Sequence, residues 1–203
     1  ERDACAARLE ACNGSEVMST SALSGTGRKL ITTFGLGDLR PAPGTWGSMP
    51  PVLLAGAIVL LLGMHGVAGE ESLWVDGWPA ATWVIYHAAM ALTIVVFSWA
   101  CLRYGDAAEA RFNKKDPGNV CADETAGMCM PLMFLPAAAF ADIWRGGATL
   151  VLAFLAFRVF DILKLPPARG LQNHQGGVGI LLDDLVAGAQ AMIAMQVIAR
   201  VLM

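Results

Sequence analysis

The stretch GGVGILLDDLVAGAQAMIAMQVIARVLM, Gly176–Met203, places two adjacent acidic residues, Asp183 and Asp184, at the start of a long apolar run. From Leu185 the run has the length of a membrane-spanning helix, because a bilayer core about 30 Å thick requires about 20 helical residues. Ionisable residues beside such a run are costly in lipid, and they often mark a functional site. The stretch therefore predicts a membrane helix with an acidic site at one end.

The composition of the chain points to the same class of protein. Of its 203 residues, 56% are hydrophobic and only 15% are charged, and the mean hydropathy is +0.54. These values are too apolar for an ordinary soluble domain and indicate an integral membrane protein. The net charge of -3 offers no basic surface, so we expect no nucleic acid partner. The five cysteines have no metal-ligand spacing and are interpreted as free thiols.

Apolar stretches divide most of the chain, and they predict an all-α fold, a compact helical bundle of about five apolar helices in the membrane. Pro131 and Pro136 should kink the third stretch and leave carbonyls for neighbouring groups to satisfy. Residues 1–29 are polar and small and are expected to form a disordered leader before a single helical domain, residues 30–203. The stretches are Val52–Gly69, Ala81–Leu102, Thr125–Ala141, Gly146–Phe160 and Leu185–Met203.

The distribution of positive charge predicts which side of the membrane each loop faces. Cytoplasmic connections carry an excess of Lys and Arg. With five spans and a cytoplasmic N-terminus, twelve of the fourteen basic residues fall on the inner side, and only Arg145 and Arg200 fall outside. The same topology brings four polar clusters to the cytoplasmic face, where a lipid headgroup would lie.

Acidic residues dominate these clusters. Asp123 and Glu124 are expected to begin one helix, Asp183 and Asp184 another, and Asp161 ends the helix between them. One interpretation is helix capping, because carboxylates are favoured at helix N-termini. One acid per helix would suffice for that, whereas doublets repel each other unless a cation joins them, and hard oxygen ligands suit Mg²⁺.

Basic residues and glycine loops accompany the acids. Arg158 and Asp161 are three residues apart and can form an ion pair, and Lys164 follows one turn later. Arg and Lys would equally serve to bind a phosphate ester. The loops APGTWGS and HQGGVGI precede helices, where free N–H groups can hold an anion, although Thr45 and Ser48 are also suited to capping. The residues considered for phosphate in these loops are Gly44, Thr45, Ser48, Gly176 and Gly177.

Four ordered motifs, PAPGTWGS (41–48), DETAGM (123–128), FRVFDILK (157–164) and GGVGILLDDLVAG (176–188), resemble the phosphatidylglycerophosphatase A family. The resemblance extends from about residue 30 to residue 203. It implies a Mg²⁺-dependent phosphatase of the bacterial inner membrane with its site facing the cytoplasm. Its phospholipid substrate would be phosphatidylglycerophosphate, which it would convert to phosphatidylglycerol.

The resemblance also implies roles for the clustered residues. Asp123, Glu124, Asp183 and Asp184 would hold one or two Mg²⁺ ions with support from Asp161. Arg158 and Lys164 would bind the phosphate. Either a metal-bound water or a carboxylate could be the nucleophile.

Two other functions were considered. A CDP-alcohol phosphotransferase would require a longer aspartate signature, and the sole DG pair here, Asp76-Gly77, is not followed by it. The alternative to the phosphatase is a small membrane transporter or channel with a cytoplasmic acidic cation site. Such a protein is expected to have charged residues along its spans. The sequence leaves the oligomeric state open.

Overall fold

The computed structural model describes residues 23–63, 74–114, 117–166 and 176–201. Most of the predicted leader lies outside these residues, but its last part does not, because the first helix begins at Gly25. The first described helix therefore includes residues that the sequence analysis assigned to the leader. The helices are α1 Gly25–Ile31, α2 Pro43–Ile58, α3 Ala80–Phe112, α4 Ala122–Cys129, α5 Ile143–Leu163 and α6 Gly176–Val201.

Four helices of the described chain are long and apolar enough to cross a membrane, so the all-α membrane prediction is confirmed. Within the described residues, these spans are Pro43–Leu62, Ala80–Phe112, Ile143–Leu163 and Gly177–Val201, and the third predicted apolar stretch is not among them. Large apolar side chains point away from the bundle, among them Leu92 and Val95 of α3 and Ile193 and Val197 of α6. An outer surface of this kind requires lipid or a partner to cover it.

The third apolar stretch is not a single helix. It begins as α4, which ends at Cys129, and continues as two 3-10 turns, Met130–Leu132 and Ala137–Phe140. Pro131 lies in the first of these turns, and Pro136 directly precedes the second. Proline removes a backbone donor and clashes with the preceding turn, so two prolines five residues apart end the helix rather than only kink it.

Side chains of two neighbouring helices and of the hairpin satisfy the carbonyls that this break exposes, as the sequence predicted. Irregular backbone is tolerated at membrane depth only where protein supplies its hydrogen bonds. The amide of Phe134 donates to Nε2 of His87 at 3.0 Å. Three side chains donate to carbonyl oxygens of this segment: Tyr86 Oη to that of Leu132 at 2.9 Å, Trp78 Nε1 to that of Leu135 at 3.0 Å, and Gln196 Nε2 to that of Met133 at 3.0 Å.

The broken stretch connects the two ends of the bundle. Its far end meets a short hairpin of two strands, β1 Trp74–Val75 and β2 Trp78–Pro79, where the amide of Ala137 donates to the carbonyl of Asp76. Asp76 also pairs with Arg200 near the end of α6, at 2.8 Å. We call this the hairpin end, and the opposite end, where α4 begins, the acidic end.

Candidate metal and phosphate site

Three carboxylates meet at the acidic end of the bundle. Asp123 and Glu124 lie in the first turn of α4, and Asp184 lies in α6. One oxygen of each is within 4.8 Å of the others. Asp123 and Asp184 are only 5% and 4% exposed, so water cannot screen the repulsion between them. This acidic cluster could hold a metal ion.

Two glycines let α4 and α6 approach closely enough to form the cluster. A Cβ at Gly127 would lie only 2.7 Å from the carbonyl oxygen of Asp184, and a Cβ at Gly188 would clash with the carbonyl of Gly127. Both glycines are three or four residues beyond an acid of the cluster, one helical turn along. The backbones therefore touch directly below the carboxylates, and this contact sets the distance between them.

The position of Asp183 and Asp184 within α6 argues against capping. The sequence analysis expected these residues to begin the helix, but α6 begins at Gly176, about two turns earlier. The partial positive charge of a helix N-terminus falls off within the first turn. Helix capping therefore does not explain this doublet. Asp123 and Glu124 do lie in the first turn of α4, where the helix N-terminus favours negative charge, but no side chain caps this helix.

The cluster contains buried oxygens that lack a hydrogen-bond partner. Among the described residues, neither Oε2 of Glu124 nor Oδ2 of Asp184 has one. Burial raises the pKa of Glu124 well above its usual range. The nearby Asp184 and Asp161 raise this pKa further, while Arg158 opposes the shift. Buried oxygens without donors, crowded on one another, fit a hard divalent cation as their missing partner.

The remaining two acids each contact a basic residue. Oδ2 of Asp161 lies 2.7 Å from Nη1 of Arg158, so the ion pair predicted from their spacing is confirmed. Oδ2 of Asp183 lies 2.7 Å from Nζ of Lys164. Lys164 follows the end of α5 with a positive φ of 45°, which turns the chain at this point. The five predicted metal ligands thus separate into a cluster of three and two acid–base pairs.

The first glycine loop, APGTWGS, contacts this site through one residue, Gly44. A Cβ at Gly44 would clash with Oε1 of Glu124 and lie 3.2 Å from Nη1 of Arg158. Thr45 and Ser48 do not cap the helix, because α2 begins at Pro43 without a side-chain cap. The hydroxyl of Ser48 is buried and donates to the carbonyl of Gly44 at 2.8 Å. Proline is suited to the first helical position because it has no N–H to satisfy there.

The second glycine loop is used in helix packing. The amide of Gly177 donates to Oδ1 of Asp106 at 3.0 Å, and a Cβ at Gly177 would clash with the carbonyl of Cys101. The N–H that was considered for phosphate is thus already bonded to a carboxylate of α3. Gly176 opens the same helix.

Sequence reasoning missed the threonine that links α4 to α2. The Thr125 hydroxyl lies 2.7 Å from the carbonyl oxygen of Gly47 and 2.8 Å from the hydroxyl of Thr33. Thr125 directly follows Glu124 and is fully buried. A hydroxyl inside an apolar stretch needs a partner, and this was the signal in the sequence that could have identified it.

Comparisons with known proteins identify the family to which the chain is similar. A family model described as Phosphatidylglycerophosphatase A matches residues 29–199. A Haemophilus influenzae protein named phosphatidylglycerophosphatase A is 30% identical over 165 residues, which are 81% of this chain and 83% of that protein. The Escherichia coli protein of the same name is 32% identical over 107 residues, 52% of this chain and 56% of that protein.

A third relative has a different name. A Bacteroides thetaiotaomicron protein, provisionally named a phosphatidylinositol-3-phosphatase, is 30% identical over 166 residues, which are 82% of this chain and 89% of that protein. No solved structure matches the chain. The names of the three relatives share one chemistry, the removal of a phosphate from a phospholipid headgroup.

Proposed function

The chain belongs to the phosphatidylglycerophosphatase A family and is a lipid phosphatase, and we propose that it hydrolyses phosphatidylglycerophosphate to phosphatidylglycerol and phosphate in a Mg²⁺-dependent reaction of phospholipid biosynthesis. The observation that carries the proposal is the buried cluster of Asp123, Glu124 and Asp184 beside two acid–base pairs. Such a site offers acidic oxygens for a metal and cations for a phosphate in one place.

We assign the metal to the three carboxylates of the cluster, with Asp161 and Asp183 supporting the site from their ion pairs. When bound, Mg²⁺ would neutralise phosphate charge and lower the pKa of a coordinated water. Because Gly44 has no side chain, it leaves room for the carboxylate of Glu124. Any larger residue at position 44 would displace this carboxylate.

Arg158 and Lys164 are proposed to bind the terminal phosphate of the substrate. Their side chains are 20% and 27% exposed, so both remain accessible to a ligand while their partners hold them. Arg158 offers a planar fork of N–H donors, and Lys164 offers a compact charge. Asp161 and Asp183 orient these cations, so these two acids are positioning residues in the proposed mechanism.

Two routes of attack are distinguished by one experiment. If water attacks phosphorus directly, no phosphate is ever attached to the protein. If a carboxylate of the site attacks, the bond between phosphorus and the glycerol oxygen breaks, phosphatidylglycerol leaves with a proton from water, and the acyl phosphate that remains is then hydrolysed. Labelled phosphate on acid-quenched protein would require the carboxylate route.

We propose that the protein lies in the bacterial inner membrane with the acidic end facing the cytoplasm. Basic residues support this orientation, because most of those described lie toward the acidic end, while Arg145 and Arg200 lie near the hairpin end. The apolar outer surface supports membrane insertion. A cysteine-labelling reagent that cannot cross the membrane tests the orientation by modifying a cysteine placed in the hairpin but not one placed beside Lys164.

The direct test is phosphate release from phosphatidylglycerophosphate in detergent micelles, with Mg²⁺ or with excess EDTA. We expect Mg²⁺-dependent release by the wild type and its loss in Asp184→Asn. Asp76→Asn, the same change at the hairpin end, is the matched control and should retain activity. Phosphatidylinositol 3-phosphate is assayed in parallel because of the Bacteroides relative.

The outcomes separate the candidate functions. If phosphate is released faster from phosphatidylinositol 3-phosphate than from phosphatidylglycerophosphate, the proposed substrate is wrong, but the proposed phosphatase site still holds. If folded wild-type protein releases phosphate from neither lipid, the proposed substrate class is wrong. Ion flux in liposomes would then test the transporter or channel alternative, which predicted charges along the spans rather than a cluster near one end.

A further inference from the structure

A polar cavity lies beside the acidic cluster and is not used by the proposed reaction. Its volume is about 370 Å³, and it is formed by the loop before α2 and the segment between α3 and α4. Asp38, Arg40 and Pro43 line one side, and Lys114 and Asn119 line the other. A cavity of this size can hold a small polar group.

The cavity has an excess of positive charge. Among the described residues that line it, the only carboxylate is that of Asp38, which is already bonded, because Arg28 Nη2 lies 3.0 Å from it and Asn119 Nδ2 donates to it at 2.9 Å. Arg40 and Lys114 are exposed, and neither is in an ion pair with another residue in the ranges that the structure covers. Two cations facing one cavity favour an anion there.

The cavity is joined to the acidic cluster through both of its walls. Pro43 lines it, and the next residue in α2, Gly44, packs against Glu124, so the cavity and the acidic cluster adjoin at the start of this helix. On the other wall, Asn119 is two residues before Cys121, whose thiol interacts with Glu124. Both walls of the cavity therefore continue into residues that meet the acidic cluster, and a ligand with two linked anionic groups would match this pair of neighbouring sites.

We propose that Arg40 and Lys114 bind the diester phosphate of the lipid headgroup while the terminal phosphate lies at the acidic cluster. This inference rests on the proposed function, because phosphatidylglycerophosphate has these two phosphates, three carbon atoms apart. The acidic cluster with its metal recognises the phosphate that leaves, and the cationic cavity recognises the phosphate that stays. Arg40 and Lys114 are then specificity-determining residues that select lipids with a diester phosphate.

The kinetic test compares two substrates. Phosphatidylglycerophosphate has both phosphates, whereas phosphatidic acid has a monoester phosphate alone. We expect Arg40→Gln and Lys114→Gln each to lower kcat/KM for phosphatidylglycerophosphate about fivefold, and together about tenfold or more, mainly through KM. Activity on phosphatidic acid, however slow, should not change.

Lys29→Gln is the matched control, because Lys29 is an exposed cation near the same end that does not line the cavity. It should leave both activities unchanged. Equal losses on both substrates, or no loss on either, would overturn the inference. Inhibition by inorganic phosphate should also stay at the wild-type level, since the free ion competes for the acidic cluster and not for the cavity.

A binding measurement separates this inference from the proposed function. Dihexanoyl phosphatidylglycerol, which keeps the diester phosphate and lacks the monoester, is titrated calorimetrically into wild-type protein and the double variant. We expect about tenfold weaker binding by the double variant and no change in Lys29→Gln. If the wild type fails to hydrolyse phosphatidylglycerophosphate but this difference is found, the proposed function fails and the cavity assignment stands. Equal binding by both proteins refutes the cavity assignment whatever the activity.

Discussion

Replacing Gly127 by alanine should disrupt the acidic cluster without touching a carboxylate. The added Cβ would lie 2.7 Å from the carbonyl oxygen of Asp184 and 2.8 Å from Cε2 of Phe157. Unstrained contacts of carbon are about 3.5 Å or longer, so α4 and α6 must separate by about 1 Å. The added Cβ would meet the backbone of Asp184 on one side and the buried ring of Phe157 on the other, and neither group can rotate out of its way.

The size of this displacement determines the expected effect. Metal–ligand distances tolerate changes of about 0.2 Å, and a shift of about 1 Å exceeds this several times. A misplacement of that order can reduce turnover about 100-fold. Overpacking of the helix contact should also lower the free energy of unfolding by about 1–3 kcal/mol. Activity should therefore fall far more than stability.

Three measurements on detergent-solubilised protein test this prediction: phosphate release, the Mg²⁺ concentration for half-maximal activity, and thermal unfolding with and without Mg²⁺. Gly147→Ala in α5 is the control, because a Cβ there meets nothing within 4 Å. We expect Gly127→Ala to lose activity, require more Mg²⁺ and gain less stability from it. Wild-type activity and Mg²⁺ response in a folded Gly127→Ala protein would refute the idea that this helix contact sets the ligand spacing.

Three further predictions follow from the same geometry. Gly44→Ala should reduce phosphate release about tenfold or more with little change in unfolding temperature, because its Cβ displaces the movable carboxylate of Glu124 rather than backbone; equal losses of activity and stability would contradict this. Lys164→Met should destabilise the protein by about 1–3 kcal/mol in thermal or denaturant unfolding, since it removes the ammonium from buried Asp183, and Lys164→Arg should recover part of that loss. Arg200→Gln should change stability by less than about 1 kcal/mol and leave phosphate release unchanged, because its ion pair is exposed and at the hairpin end.

The sequence was informative about the fold wherever a helix is long and apolar. The spans of α2, α3, α5 and α6 all overlap the predicted stretches. The third stretch was the exception. Its two prolines predicted a disturbed helix, whereas the helix ends altogether. The break is tolerated because side chains distant in the sequence, such as those of Tyr86 and Gln196, donate hydrogen bonds to the exposed carbonyls. Those partners are 46 and 63 residues away, and no local pattern reveals them.

The site was predictable as a set of residues but not as an arrangement. The pairing of Arg158 with Asp161 follows from helical spacing alone and was foreseen. The start of α6 was misjudged, because glycines before the apolar run resemble a loop although their packing against α3 makes them helical. This error placed Asp184 at a helix end, where capping was one of the two interpretations.

Asp183 and Asp184 show why the division of roles could not be read from the chain. Adjacent residues on a helix point about 100° apart. Asp184 faces the crossing with α4 and joins the cluster, whereas Asp183 faces the end of α5 and pairs with Lys164. Which residue does which depends on the rotation of α6, and that rotation is set by the contact between Gly127 and Gly188. In the proposed site, two identical acids therefore have different roles, one in the acidic cluster and one as the partner of Lys164, because of the packing below the site.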